Sequence, residues 1–118
     1  MYLSVDKEHN AIYIKNDIIN CNDFIVLDET EVDALLEHKD KLFARYYVYL
    51  KYHIIKSKRK STNNTIKQFL ADAGYSINSN AYISKVSSYN TFIKDKGLLN
   101  ITSYIDENGN YRNLFWLN

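Results

Sequence analysis

Short polar side chains recur at helical spacing near the middle of this 118-residue chain: Asn80, Ser84, Ser87, Ser88 and Thr91, with Lys85 among them. Hydroxyl, amide and ammonium groups of this size can hydrogen-bond to base edges, and the methyl of Ala81 suits a thymine methyl. No acid interrupts the run until Asp95, whereas an ordinary solvated helix face carries Glu at many positions. A second set follows at Asn108, Asn110, Tyr111 and Arg112. Arg is the side chain best suited to a narrow minor groove or a guanine edge. A third is the run from Lys56 to Ser61, in which Lys58, Arg59 and Lys60 are expected to clamp phosphates. Each phosphate neutralised steepens the log–log salt dependence of duplex binding by about −0.9.

Other chemistries find little support. His9, His38 and His53 are scattered and Cys21 stands alone, so neither a metal-ligand set nor an internal disulfide is expected. His53 falls on a core-facing helical position and reads as a buried histidine. Asp28 with Glu31, and Asp6 with Glu8, read as helix-start and turn acids rather than an acid/base pair. With three glycines and neither a P-loop nor a G-x-G-x-x-G fingerprint, there is little to cradle a nucleotide. The expectation is no enzyme, no cofactor, no metal and no small-molecule ligand.

The net charge of +1 conceals a division. Residues 1–40 hold three Lys against ten acids, a balance of −7; residues 41–118 hold twelve Lys and Arg against four acids, a balance of +8. Residues 41–71 carry eight cations and no acid. Such asymmetry suggests an anionic partner for the basic part, unless the two parts neutralise one another. No apolar run is long enough to span a membrane, the start lacks a signal-peptide pattern, and the expected compartment is the cytoplasm. Asn (14), Ile (13) and Lys (12) are the bias of an AT-rich genome.

These side chains need elements to position them. Tyr2–Val5, Ala11–Ile14 and Phe24–Leu27 read as short strands, and Asp28–Glu31 opens a helical pattern. A long helix is predicted over about Lys39 to Lys56, with Phe43, Tyr46, Tyr47, Leu50, His53 and Ile54 facing the core. Its opposite face carries Val48, Tyr52 and Ile55, an apolar set that something should cover. Thr62 or Asn63 can cap a short helix with the stripe Ile66, Phe69, Leu70 and Ala73, ended by Gly74. Ser79 can cap a third helix to about Lys96, ended by Gly97, with Tyr82, Ile83, Val86, Tyr89 and Ile93 inward. Two strand-forming runs then flank Asn108-Gly109, which predicts a type I′ hairpin turn.

Helix, short helix, tight turn, longer helix and hairpin is the order of a winged helix-turn-helix. Residues Asn64–Gly74 resemble its second helix, and Lys94–Leu99 leading into a hairpin resembles the end of a recognition helix running into its wing. Lys41–Lys51 is similar to the first helix of DNA-binding modules from mobile elements of low-GC Gram-positive bacteria, including plasmid replication initiators and transfer-origin accessory proteins. The resemblance covers residues 39–118 and implies three helices and a C-terminal wing; residues 1–38 lie outside it and are read from their own pattern as an acidic N-terminal β extension that packs or dimerises, which makes the expected fold α+β. It implies sequence-specific double-stranded DNA binding in replication, conjugative transfer or transcriptional control. The third helix would sit in or near the major groove, the wing on flanking DNA, and other replication or transfer proteins could be partners. A homodimer through Val48, Tyr52 and Ile55 would suit repeated sites. The other reading is a winged helix serving as a protein–protein module through that same apolar face.

Overall fold

The structure is a computed structural model in which residues 2–6, 11–15 and 25–117 are described. Helix starts are fixed by side-chain caps. Asp28 precedes α1 (Glu29–His38): its carboxylate accepts from the Glu31 amide at 2.8 Å, while Glu31 accepts from the Asp28 amide at 2.9 Å. This reciprocal pair satisfies two amides that no helical carbonyl can reach. Lys39, at φ 54°, turns the chain, and Asp40 caps α2 (Lys41–Lys56) through the Leu42 amide. Thr65 and Gln68 close a second capping box on α3 (Ile66–Asp72). The cap is therefore Thr65, not Thr62 or Asn63. Ser79 caps α4 (Asn80–Asp95) by accepting from the Tyr82 amide.

Strands β1 (Tyr2–Asp6), β2 (Ala11–Lys15) and β3 (Ile25–Val26) form one antiparallel sheet in chain order. The second sheet has the order β4-β6-β5, from β4 (Ser61–Thr62), β5 (Asn100–Ile105) and β6 (Tyr111–Trp116). Strand β6 is central: Thr62 and Ile101 both pair with Phe115, which is buried. Thr62 thus belongs to a strand, which the polar, basic surroundings of Ser61 did not signal. Among the described residues the fold is α+β with four helices, the additional one being α1.

A single core joins both sides of the boundary expected at residues 38 and 39: Ile25, Leu27, Val32 and Leu35 pack with residues of α2, α3 and α4 and with Phe115. Helix α2 buries ten of its 16 residues. Here the cover expected for the apolar face is found over Val48 and part of Tyr52. Val48 is 1% exposed and belongs to the core, and β3 and α1 pack on the side of α2 that carries Tyr47 and Lys51. Tyr52 is half-buried against the core, and only Ile55, at the end of the helix, remains exposed.

The side chain of Lys51, counted above among the cations, turns inward. Its ammonium lies 2.6 Å from buried Glu31 and donates to the Val26 carbonyl at 3.0 Å. The Tyr47 hydroxyl donates to the other Glu31 oxygen. Removing such charges from water costs several kcal/mol per ion unless each finds its partner, and here all three groups do. Burial, and then the neighbouring carboxylate, push the Tyr47 phenol far above the usual tyrosine range.

Candidate nucleic-acid interface

Helix α4 is held by one face and offers the rest. Val86, Tyr89 and Ile93 are its buried residues. They lie one helical turn apart, so they form one stripe. Asn80, Ala81, Ser84, Lys85, Ser87, Ser88 and Thr91 are all exposed, as is Asp95 at the far end. The predicted polar face is therefore not packed against the rest of the described chain. Tyr82, expected inward, stands at the rim, 36% exposed, with its ring edge-on to Tyr75 at 5.0 Å. The Arg45 guanidinium lies over the Tyr75 ring and donates to its hydroxyl at 3.1 Å, which braces the turn before α4. Gly74, at φ 82°, makes that turn, and the Tyr75 amide closes it on the Leu70 carbonyl at 2.8 Å.

Asp40 joins this helix to the N-terminus of α2. It accepts from the Tyr89 hydroxyl, and Lys85 lies 3.6 Å away. Burial opposes ionisation of Asp40, yet the Tyr89 hydroxyl, the Leu42 amide and Lys85 together outweigh it and hold the carboxyl below its ordinary value. Lys96 pairs similarly with Glu37 at 3.1 Å. The acidic N-terminal part thus neutralises some of the basic part within one fold, through Glu31, Glu37 and Asp40. Lys58, Arg59 and Lys60 are exposed in the turn after α2, where Lys60 adopts φ 56° and its ammonium reaches the Ile55 carbonyl at 3.2 Å. Ser88 donates to the Lys85 carbonyl at 2.6 Å, so its hydroxyl must rotate before it can meet a base.

The hairpin is present, but its turn is not type I′. Asn108 does not take a positive φ; Gly109 does, at 79°. The Gly109 amide bonds to the Asp106 carbonyl at 3.0 Å, and the Asp106 carboxylate accepts from the amides of Asn108 and Asn110 at 2.9 Å each. Asp at the first position and Gly at the fourth is the signature of a type I turn closed by a left-handed residue. Asp106 also holds Arg112, Nε to Oδ2 at 2.7 Å. That bond, then the Asn110 and Asn108 amides, keep the Asp106 carboxyl below its ordinary value, and the carboxylate in turn raises Arg112. Arg112 is half-buried beside the turn, tied back to Asp106 rather than projecting from the tip, and it must exchange Asp106 for a phosphate or base to act. Asn108 and Asn110 are exposed.

Sequence reasoning named Tyr111 and missed its apolar neighbour Ile105. Tyr111 is 83% exposed, and Ile105, its partner across the strands, is 60% exposed. Alternation in β5 could have found Ile105: Ile101, Ser103 and Ile105 share the face of buried Phe115 and its neighbours, but Ile105 overhangs the body. A cleft of about 490 Å³ beside the wing is lined by Asn63, Tyr104, Arg112 and the acids Asp106 and Glu107.

Among the described residues, no group of three His, Cys, Asp or Glu is placed to hold a metal ion, and no helix is long and apolar enough to cross a membrane. His9 and Cys21 lie outside the described residues. Compared with known proteins, the chain matches no family model, no curated protein and no solved structure.

Proposed function

We propose that this protein is a winged helix-turn-helix that binds double-stranded DNA in a sequence-specific way without catalysis. The observation that carries the reading is the exposed face of α4: seven polar or small residues open to solvent, no acid before Asp95, on a helix anchored by one buried stripe. A short α3, a tight turn and α4, followed by a hairpin whose sheet returns to β4, support the winged layout. In this reading Asn80, Ala81, Ser84, Ser88 and Thr91 meet base edges in the major groove. Lys85 leaves Asp40 for a phosphate. An exposed ion pair of this kind contributes little, about 0–1 kcal/mol, so the exchange is cheap. The wing lies on flanking DNA, with Asn108, Asn110, Tyr111 and Arg112 facing the duplex, and Lys58, Arg59 and Lys60 add phosphate attraction. The host would be a plasmid, phage or other mobile element, and the task replication, conjugative transfer or transcriptional control. Two copies on a repeated or palindromic site fit the same reading. The protein–protein alternative has lost its main support, since Val48 is buried and Tyr52 half-covered.

The test is selection from a random duplex pool at about 50 mM salt. Enrichment of one motif is expected, and a symmetric motif would report a dimer. A pool that stays random through successive rounds contradicts the proposal.

A further inference from the structure

The end of α2, the basic turn and β4 enclose a cleft of about 360 Å³. Its lining differs in kind from the cleft beside the wing. There Asp106 and Glu107 would repel an anion. Here no carboxylate is among the described lining residues, while the basic side chains His53, Lys56 and Arg59 meet the amides of Asn63 and Asn64 and the hydroxyl of Ser61. Leu114 of β6 supplies an apolar patch.

The fold builds this set from short-range features. Ser57 ends α2, and its amide satisfies the His53 and Ile54 carbonyls. Lys60 covers the Ile55 carbonyl. Three of the helix-end carbonyls that would disfavour an anion are thereby engaged. The left-handed turn at Lys60 then reverses the chain into β4, which brings Ser61, Asn63 and Asn64 against the last turn of α2. Asn64 is fixed from both sides: its carbonyl oxygen accepts from Thr62 at 3.1 Å and its amide donates to the Tyr49 hydroxyl at 2.9 Å. Asn63 donates to the Tyr104 hydroxyl at 2.9 Å. A side-chain amide carries two N–H groups, so each of these bonds orients its group without exhausting it. Lys56 sits over the Tyr52 ring at 5.8 Å, and His53 is wedged between Tyr49 and Tyr52. These ring contacts hold two of the three basic side chains in place.

We propose that this cleft binds a phosphate group. The planar guanidinium of Arg59 supplies charge-assisted bonds to its oxygens, Lys56 adds positive charge beside it, and the amides and hydroxyl complete the shell. The volume falls in the range of ligand pockets and leaves room for what the phosphate is attached to, whether a small phosphorylated molecule or a nucleic-acid backbone. This inference does not depend on the α4 face.

The test is a titration of the full chain with pyrophosphate, followed by amide and His53 ring resonances at constant ionic strength. Saturable shifts confined to Arg59, Ser61, Asn63, Asn64 and His53 are expected. Arg59→Gln should weaken binding about tenfold or more, while Lys94→Gln, which removes the same charge elsewhere, should leave it unchanged. Shifts that never saturate and match those from sodium chloride, or equal losses in both variants, would overturn the proposal. Repeating the titration with a bound duplex identifies the source. Exclusion of pyrophosphate assigns the cleft to the backbone, and undisturbed binding assigns it to a small phosphorylated ligand. A protein that takes pyrophosphate but no duplex keeps this site and loses the reading of α4.

Discussion

Helices α2 and α4 are both 16 residues long, yet α2 buries ten residues and α4 buries three. Five of the tyrosines and half-buried charges around α2 are committed to named partners: Tyr46 to Asn90, Tyr47 to Glu31, Tyr49 to Asp72, Lys51 to Glu31 and Arg45 to Tyr75. Along α4 the exposed polar side chains make few such bonds, Lys85 to Asp40 and Ser88 to its own helix being the clear ones. One helix commits its side chains to the fold and the other leaves them open to solvent. The difference predicts that substitutions in α2 act on stability, and substitutions on the open face of α4 act on binding.

The largest effect is expected where α2 meets α1. Glu31→Ala strands the Lys51 ammonium in the core and should cost about 3–5 kcal/mol of stability, read by urea unfolding. A loss under about 1 kcal/mol would mean that Lys51 escapes to water and the docking is looser than described. Lys85→Ala inverts the pattern. Duplex affinity should fall by about 1–3 kcal/mol, while stability changes by less than about 1 kcal/mol; anisotropy and melting on the same sample separate the two. Gly109→Ala forces a side chain into the left-handed region at the wing and should cost about 1–2 kcal/mol. The smallest effect is a pH slope. Burial lowers the pKa of His53 below its ordinary 6.5, and nearby Asp72 only partly offsets this. Its contribution to stability is complete above the unfolded value and fades as pH falls through 6.5 toward the folded value. Stability should therefore drop on acidification from about pH 7.5 to about 5.5, and His53→Gln should flatten that slope.

Much of this contrast was legible beforehand, because it rests on local signals. The 3.6-residue period and Ser79, Gly74 and Gly97 set α4 and its approach, and Asn108-Gly109 marked the hairpin. Two things were not legible, and each depends on distant residues. Strand β4 exists because Ser61 and Thr62 pair with Trp116 and Phe115 near the other end of the chain. Arg112 is tied because the turn runs through Asp106 rather than through a two-residue loop. In the candidate interface, the exposed face of α4 was foreseen residue by residue, whereas Ile105, beside the foreseen Tyr111, was overlooked.

The central claim is that the open face of α4 meets a duplex. The most direct measurement is a salt-dependent anisotropy titration, on a selected duplex, of the parent and of the double variant Ser84→Glu, Ser88→Glu, each with its melting temperature. The account predicts tight binding by the parent that weakens linearly in log–log form with salt, and a loss of about tenfold or more in the variant at unchanged melting temperature. Equal affinity in the two proteins, with both folded, would contradict it.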